Sequence, residues 1–315
     1  MPEICVVGSL NMDFVIPVTQ LPREGETILG RDYETIPGGK GANQAVGAAR
    51  LGVRVRMVGK VGYDAFGETL RLGLEHEGVE TSGIRSTTDA RTGCAFILVA
   101  EQGTNVIVVA PGANLVWTSD DVRVAWAQAA QADLVLLQGE VPLAVNLAAA
   151  KAAREARKLV IWNPAPAIFC RELLALTDIL VLNAVEVRQL AQAAGCVGTA
   201  PETSAKELVT LGPSVVVVTV GEGGAWLVSR DSTRHFPGFS VDAVDSTAAG
   251  DAFVAALAVA LLQGASMPDA VELGNAAGAL AVTRRGAQSS LPRREDLDTI
   301  ARRHKEAAVF GSFKD

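Results

Sequence analysis

Short, β-branched apolar runs recur along this chain at intervals filled by alanine-rich segments, and this alternation is what most limits its fold. The runs are ICVVG (4–8), VRMVGKVG (55–62), LVLLQ (134–138), LVIW (159–162), ILVLN (179–183) and VVVVTVG (215–221). Each is apolar throughout rather than at every second residue, which is the pattern of a strand covered on both faces. The intervening stretches near 42–51, 65–77, 142–157, 185–194 and 203–211 read as helices. Strands that alternate with helices imply right-handed βαβ crossovers and a mainly parallel sheet between two helical layers. With 315 residues, 49% of them hydrophobic and only 5% aromatic, the chain can build one large core from Ala, Val and Leu.

Two regions break the rhythm, at 15–39 and 92–114. The second carries two strand-like runs around EQGTN, which predicts a hairpin turning near Gly103. Together the two regions predict a small sheet standing off the main one. No linker, repeat or low-complexity tract divides the rest of the chain, so one domain over 1–315 is expected.

Composition narrows the function. A formal charge of −7 argues against a broad nucleic-acid or anionic-membrane surface. Cys5, Cys94, Cys170 and Cys196 are widely spaced and only three histidines are present, a pattern that indicates free thiols rather than a zinc site or disulfide framework. The N-terminus has no basic segment before its short apolar run. AFVAALAVALL, the longest apolar run, has 11 residues, fewer than the roughly 18 that span a bilayer. A cytoplasmic protein without membrane or nucleic-acid partners is expected.

In open α/β sheets, ligands collect beyond the carboxyl ends of the strands, where loops enter helices. IPGGKGANQAVGAARLG (36–52) is such a loop. Its Gly38, Gly39 and Gly41 let backbone approach a ligand, and Lys40 and Asn43 can bond hydroxyls or phosphate. Read alone it is equally a glycine-rich turn with an exposed lysine. Neither a P-loop nor the G-x-G-x-x-G dinucleotide spacing is present. Asn11 and Asp13 follow the first strand, as a pair of ligand-binding side chains or as an Asx turn.

DAVDSTAAGDAF (242–253) sets Ala248, Ala249 and Gly250 before a long apolar helix, with Asp251 at its mouth. Small residues leave the first helical N–H groups open, and those donors together with the helix dipole form an anion site. An ionised carboxylate beside an anion site is what phosphoryl transfer to an alcohol requires. By itself, Asp251 is also an ordinary residue at a helix N-terminus.

GGKGANQA (38–45) and AVDSTAAGDAF (243–253) together resemble the ribokinase, or PfkB-type carbohydrate kinase, family. The likeness continues through GSLNMD (8–13), PREGET (22–27), VGYDAFGE (61–68), LQGEVPL (137–143), NPAPA (163–167), LNAVEV (182–187), VTVGEGG (218–224) and TRRGAQSSLP (283–292), in family order. This resemblance implies a three-layer α/β/α, ribokinase-like fold with a β-sheet lid from roughly 14–37 and 92–112 that doubles as a homodimer interface. It also implies transfer of the ATP γ-phosphate to the 5-hydroxyl of D-ribose, giving ribose 5-phosphate. Alternatives are a family kinase acting on deoxyribose, a ketose, a keto-sugar acid or a nucleoside, and, more distantly, a non-catalytic sugar or nucleotide sensor.

Carried over by position, the resemblance makes Asp251 the catalytic base and Ala249 and Gly250 the anion hole. Asn11, Asp13, Gly39, Lys40, Asn43 and Glu140, with Asp251, match sugar-binding positions. Asn183, Thr219, Gly221, Gly224, Gly250 and Asn275 match nucleotide-binding positions. Glu186 would act on Mg2+ indirectly, and Asp245, Thr247, Ala281, Arg284, Gly286 and Ser290 would hold an activating K+. The chain departs from the pattern in two small ways: Ala248 stands where family members often have the first glycine of Gly-Ala-Gly-Asp, a change also usual among ribokinases, and Ala184 replaces the first acid of the common Asn-Glu-x-Glu.

Overall fold

The computed structural model describes residues 2–102, 104–297 and 299–300. Among them, a nine-stranded sheet runs in the order β13-β12-β11-β10-β9-β8-β1-β4-β5. From one end to the other these strands are β13 (Thr233–Phe236), β12 (Ala225–Ser229), β11 (Val215–Thr219), β10 (Ile179–Asn183), β9 (Leu159–Asn163), β8 (Leu134–Gln138), β1 (Glu3–Val7), β4 (Arg54–Gly62) and β5 (Glu80–Thr87). Every pairing from β11 to β5 is parallel, while β12 and β13 extend the edge antiparallel.

Successive residues of the central strands point to opposite faces, and each face has its own core. Ile4 and Val6 of β1, Leu134 and Leu136 of β8, and Val217 of β11 pack against α1 (Lys40–Arg50), α2 (Ala65–His76), α8 (Ala249–Leu262) and α9 (Met267–Ala281). Cys5, Val7, Val135, Leu137 and Val216 pack on the other side, against α3 (Ser119–Gln131), α4 (Leu143–Glu155), α5 (Arg171–Leu176), α6 (Ala184–Ala193) and α7 (Pro201–Val209). The three-layer α/β/α arrangement expected from the alternation is therefore present.

The second sheet has four strands in the order β3-β2-β6-β7: β3 (Glu34–Gly38), β2 (Asn11–Val18), β6 (Gly93–Ala100) and β7 (Asn105–Ala110). β6 and β7 pair antiparallel as the expected hairpin, although Gly103 lies outside the described residues. β2 and β6 are parallel, which makes the sheet mixed. Phe14 joins β2 to β6 by stacking on Phe96, with ring centroids 5.1 Å apart. β7 forms an edge and is exposed along its whole length.

α8 is apolar all round, which suits a helix covered on every side, and Asp251 through Ala260 are all buried. It can sit so deeply because its neighbour α1 offers a glycine at the contact. A Cβ on Gly47 would stand 2.9 Å from the Ala255 Cβ, closer than two such carbons approach. One helical turn towards the N-terminus of each helix, Asn43 and Asp251 occupy the same faces as Gly47 and Ala255. The packing of two small residues thus brings two polar ones together.

Gly47→Val should therefore lower stability by about 1–3 kcal/mol through overpacking, measured by chemical denaturation. Ala255→Gly in the same chain should return part of the loss. Unchanged stability in Gly47→Val would show that the crossing has room to spare.

Candidate active site

The site lies where β1, β8 and β10 end and α1, α6 and α8 begin. At its centre, Asp251 is 6% exposed. Its Oδ2 accepts from Asn43 Nδ2 at 2.9 Å and its Oδ1 from Gln44 Nε2 at 3.0 Å. Burial pushes the carboxyl pKa upward, against the opposing influence of Lys40 and the two amides. A carboxylate in such surroundings is a better proton acceptor than one in water.

Around Asp251 stand the residues the sequence assigned to a sugar. Gly39, at φ 90°, is the turn that lets the chain enter α1: a Cβ there would lie 2.8 Å from the Asn11 nitrogen. The turn brings the Lys40 backbone N–H to Glu140 Oε2 at 3.1 Å, and Ser9 Oγ donates to the same oxygen at 2.5 Å. Burial would lower the Lys40 pKa, but Asp251, Glu140, Glu186 and Asp13 together hold it above its ordinary value. Asp13 is raised from 3.8 to about 7, first by burial and then by Glu140 and Asp251. Asn43 Oδ1 is buried and has no hydrogen-bond partner among the described residues. Acceptors crowded together and short of donors fit a ligand made of hydroxyl groups.

Across the start of α8 opens a cavity of about 550 Å³, lined by Thr219, Gly221, Gly224, Ala249, Gly250 and Asn275 among others. It thus unites five of the six nucleotide positions expected from the sequence. The sixth, Asn183, pairs with Thr219 in the β10–β11 register. Nothing lies within 4 Å of where a Gly250 Cβ would be, so the missing side chain leaves open space. The N–H of Gly250 meets no protein acceptor among the described residues, while that of Ala249 reaches Ser246 O at 3.3 Å. Ala248, just before them, has φ 58°, a left-handed conformation that costs a non-glycine residue about 1–2 kcal/mol. It stands where the family's common motif has glycine.

Asn183 and Glu186 close a capping box at the start of α6. Asn183 Oδ1 accepts from the Val185 and Glu186 N–H groups, each at 2.8 Å, and Glu186 Oε2 accepts from Asn183 N–H at 2.9 Å. The expected phosphate-and-metal element therefore also holds its own helix. Burial raises the Glu186 pKa, and both Lys40 and Asp251 act on it electrostatically. One carboxylate suits a Mg2+ that keeps its waters and is held mainly by phosphates. Among the described residues, no group of three or more His, Cys, Asp or Glu side chains could form a protein cage for a metal.

The residues assigned to a monovalent cation form two loops tied by Asp245. Its Oδ1 accepts from Thr247 N–H at 2.9 Å and Thr247 Oγ1 at 2.6 Å, and its Oδ2 accepts from Gly286 N–H at 2.9 Å. These bonds hold the Asp245 carboxyl below its ordinary pKa although burial works the other way. Ala281 O accepts from Arg284 N–H at 3.1 Å, and Ser290 Oγ donates to Ala287 O at 2.8 Å. The Arg284 guanidinium turns away to pair with Asp296 at 2.9 Å.

Gln44, Asn114, Gln138 and Asn163 also shape the site and were not singled out by the sequence. Asn114, on the loop after β7, donates to Asn11 Oδ1 at 2.7 Å and holds both polar backbone atoms of Leu10. It lies more than a hundred residues from its partners. Gln44 lay inside GGKGANQA, and its position next to Asn43 was the available signal.

A family model for the pfkB family carbohydrate kinases matches residues 1–294. The chain belongs to this family. A ribokinase of Haemophilus influenzae is 42% identical over 298 residues, which cover 93% of this chain and 96% of that protein. The crystal structure of a ribokinase from Thermotoga maritima superposes with a TM-score of 0.88 at 37% identity, covering 96% of this chain and all of the other. An Arabidopsis thaliana ribokinase complexed with ribose and ATP gives 0.84 at 32% identity, covering 95% and 97%.

The proton on Asp13 provides a test. Its folded pKa lies above its unfolded value, so the sugar-free protein loses stability as pH rises from about 4 to about 7 and stays at the lower level beyond. Asp13→Asn should then melt at a higher temperature than the parent above pH 7 and at the same temperature near pH 4, in scans at constant ionic strength. Parallel melting curves for the two proteins across that range would remove Asp13 from the charge cluster.

Proposed function

We propose that this chain transfers the γ-phosphate of ATP to the 5-hydroxyl of D-ribose, giving ribose 5-phosphate and ADP. The observation that carries this reading is the position of Asp251. It is a buried carboxylate held by two amides, with hydroxyl-binding groups on one side and a phosphate-sized opening at Gly250 on the other. The ribokinase relatives support ribose as the sugar.

In this reading the sugar lies among Asn11, Asp13, Gly39, Lys40, Asn43 and Glu140, with its 5-hydroxyl towards Asp251. The unpartnered Asn43 Oδ1 accepts one sugar hydroxyl. Asp251 takes the proton of the attacking 5-hydroxyl as the new O–P bond forms and the bond to the β-phosphate oxygen breaks in line. The Gly250 and Ala249 N–H groups, at the positive end of α8, receive the negative charge that gathers on the transferred phosphoryl group. Lys40 offsets the carboxylates nearby. Glu186 would act indirectly on the Mg2+ that accompanies the nucleotide, and that ion would supply charge neutralisation at the phosphates.

The chain acts as one domain in which the four-stranded sheet is the lid over the sugar. Phe96 on β6 and Val106, Ile107, Val108 and Val109 on the edge strand β7, all between 43% and 59% exposed, lie along the edge on which a second copy would pair, since an open apolar edge otherwise invites aggregation. Cytoplasmic residence fits both substrates, and among the described residues no helix is long and apolar enough to cross a membrane.

Asp251→Asn keeps the shape of the base and removes its proton acceptor. Turnover of ribose should fall by roughly 10² to 10⁴ while ATP still binds, as followed by ADP release and calorimetry. Turnover close to the parent's would dismiss Asp251 as the base.

The Asp245 loops supply oxygen donors next to the anion hole, and a hard monovalent cation seeks such atoms. Potassium should raise turnover relative to tetramethylammonium, an ion too large for the loops, at equal ionic strength. Equal rates in the two salts would leave Asp245 as the brace of a turn only.

A further inference from the structure

Behind Asp251 lies a chain of side-chain amides with a fixed sense. Asn163 Nδ2 donates to the backbone carbonyl of Val181 at 2.9 Å, which leaves Asn163 Oδ1 as an acceptor. Gln44 Nε2 donates to that oxygen at 3.1 Å and, with its second hydrogen, to Asp251 Oδ1 at 3.0 Å. Gln44 Oε1 accepts from Gln138 Nε2 at 2.8 Å. Gln44 and Gln138 are 0% exposed and Asn163 is 9% exposed, so water does not exchange freely with the chain. Both N–H bonds of Gln44 are used. A reversed amide would face the Asn163 oxygen and the Asp251 carboxylate with an oxygen of its own, which burial makes costly.

We infer that Gln44 is a positioning residue for the phosphoryl transfer: through Asn163 it fixes Asp251 against the main-chain carbonyl of Val181, so that the lone pair aimed at the sugar hydroxyl keeps one direction. The inference rests on Asp251 as the base. Asn43 holds the other oxygen from the side assigned to the sugar, whereas Gln44 reaches Asp251 from the interior. The charged groups that face Asp251 are Lys40 at the start of α1, Glu140 after β8, Asp13 on β2 and Glu186 on α6. Gln44 adds a donor that favours the ionised form without adding a charge, which suits a base that must lose its proton again after each turnover.

Two variants test this in the full-length protein, with ribose and MgATP as substrates. Gln44→Met removes both donors at nearly constant length, and Gln44→Glu keeps the shape while replacing the donor with a carboxyl. In each, kcat should fall about tenfold to a hundredfold, as expected when a catalytic group is misplaced, while the KM values of ribose and ATP stay within about twofold. The acid limb of the kcat/KM profile should move to higher pH, because the ionised form of Asp251 has lost a hydrogen bond. That shift separates positioning from a general loss of structure. Should Gln44→Met fail to fold, the isosteric Gln44→Glu carries the same expectation, because a second carboxylate facing Asp251 repels its ionised form and holds its proton to higher pH.

Turnover within twofold of the parent, or a loss with the acid limb unmoved, would overturn the role of Gln44. If Asp251→Asn itself kept parental turnover, the assignment of the base would fall instead, and the two failures are distinct.

Discussion

The close crossing of α1 and α8 is the constraint on which the candidate site depends. Gly47 and Ala255 set the separation of the helices, and helical periodicity carries that separation one turn further, to Asn43 and Asp251. Helix α8 contributes the proposed base and the open N–H of Gly250. Its partner α1 contributes the lysine, the sugar-side amide and the interior amide. No loop has to find its place for these groups to meet, because rigid elements hold them. The alanine-rich composition therefore has a mechanical purpose: large side chains at this crossing would separate the helices that carry the chemistry.

Charge is the second organising feature. Asp13, Glu140 and Asp251 surround one ammonium group, and Glu186 acts on the same cluster. The site thus holds more negative than positive charge, and the Asp13 carboxyl is raised first by its burial and then by the neighbouring Glu140 and Asp251. The proposed neutral sugar would ease it by bringing hydroxyl donors to acceptors that lack them. In the proposed reaction the nucleotide brings more negative charge, so its phosphates belong on the far side of the α8 N-terminus, where the helix dipole opposes the repulsion. The separation between the acidic cluster and the 550 Å³ cavity suits this electrostatic division.

The buried parallel strands were legible because an unbroken apolar run such as VVVVT has few other ways to be satisfied. Glycine at 38 and 39 and the aspartate at 251 were legible because small residues and a carboxylate are costly where they do nothing. Edge elements were harder to read. β5 is ETSGIRST, polar at most positions because its outer side faces water, and β13 is exposed at three of its four residues. Gln44, Gln138 and Asn163 stood inside the motifs GGKGANQA, LQGEVPL and NPAPA and Asn114 outside every motif, yet none was assigned a role, because residue type does not mark a buried amide. Its partners are set by tertiary contacts as distant as Gln44 and Asn163, 119 residues apart. The left-handed Ala248 was hidden for the opposite reason: its residue type gives no hint of its backbone.

That alanine bears on how freely the chain wanders before it folds. A glycine at 248 would be relaxed in the same conformation, but it would also open many others to the unfolded loop. An alanine there narrows the unfolded ensemble, an effect of about 0.4–1 kcal/mol that is smaller than the strain of holding a non-glycine residue at positive φ. In the folded protein Ala248 stands at φ 58°, in the small left-handed region open to an L-residue. The N–H groups of Ala249 and Gly250 follow at once as the first of α8, so the residue that turns the chain into the helix also sets the direction of the donors proposed to meet a developing charge.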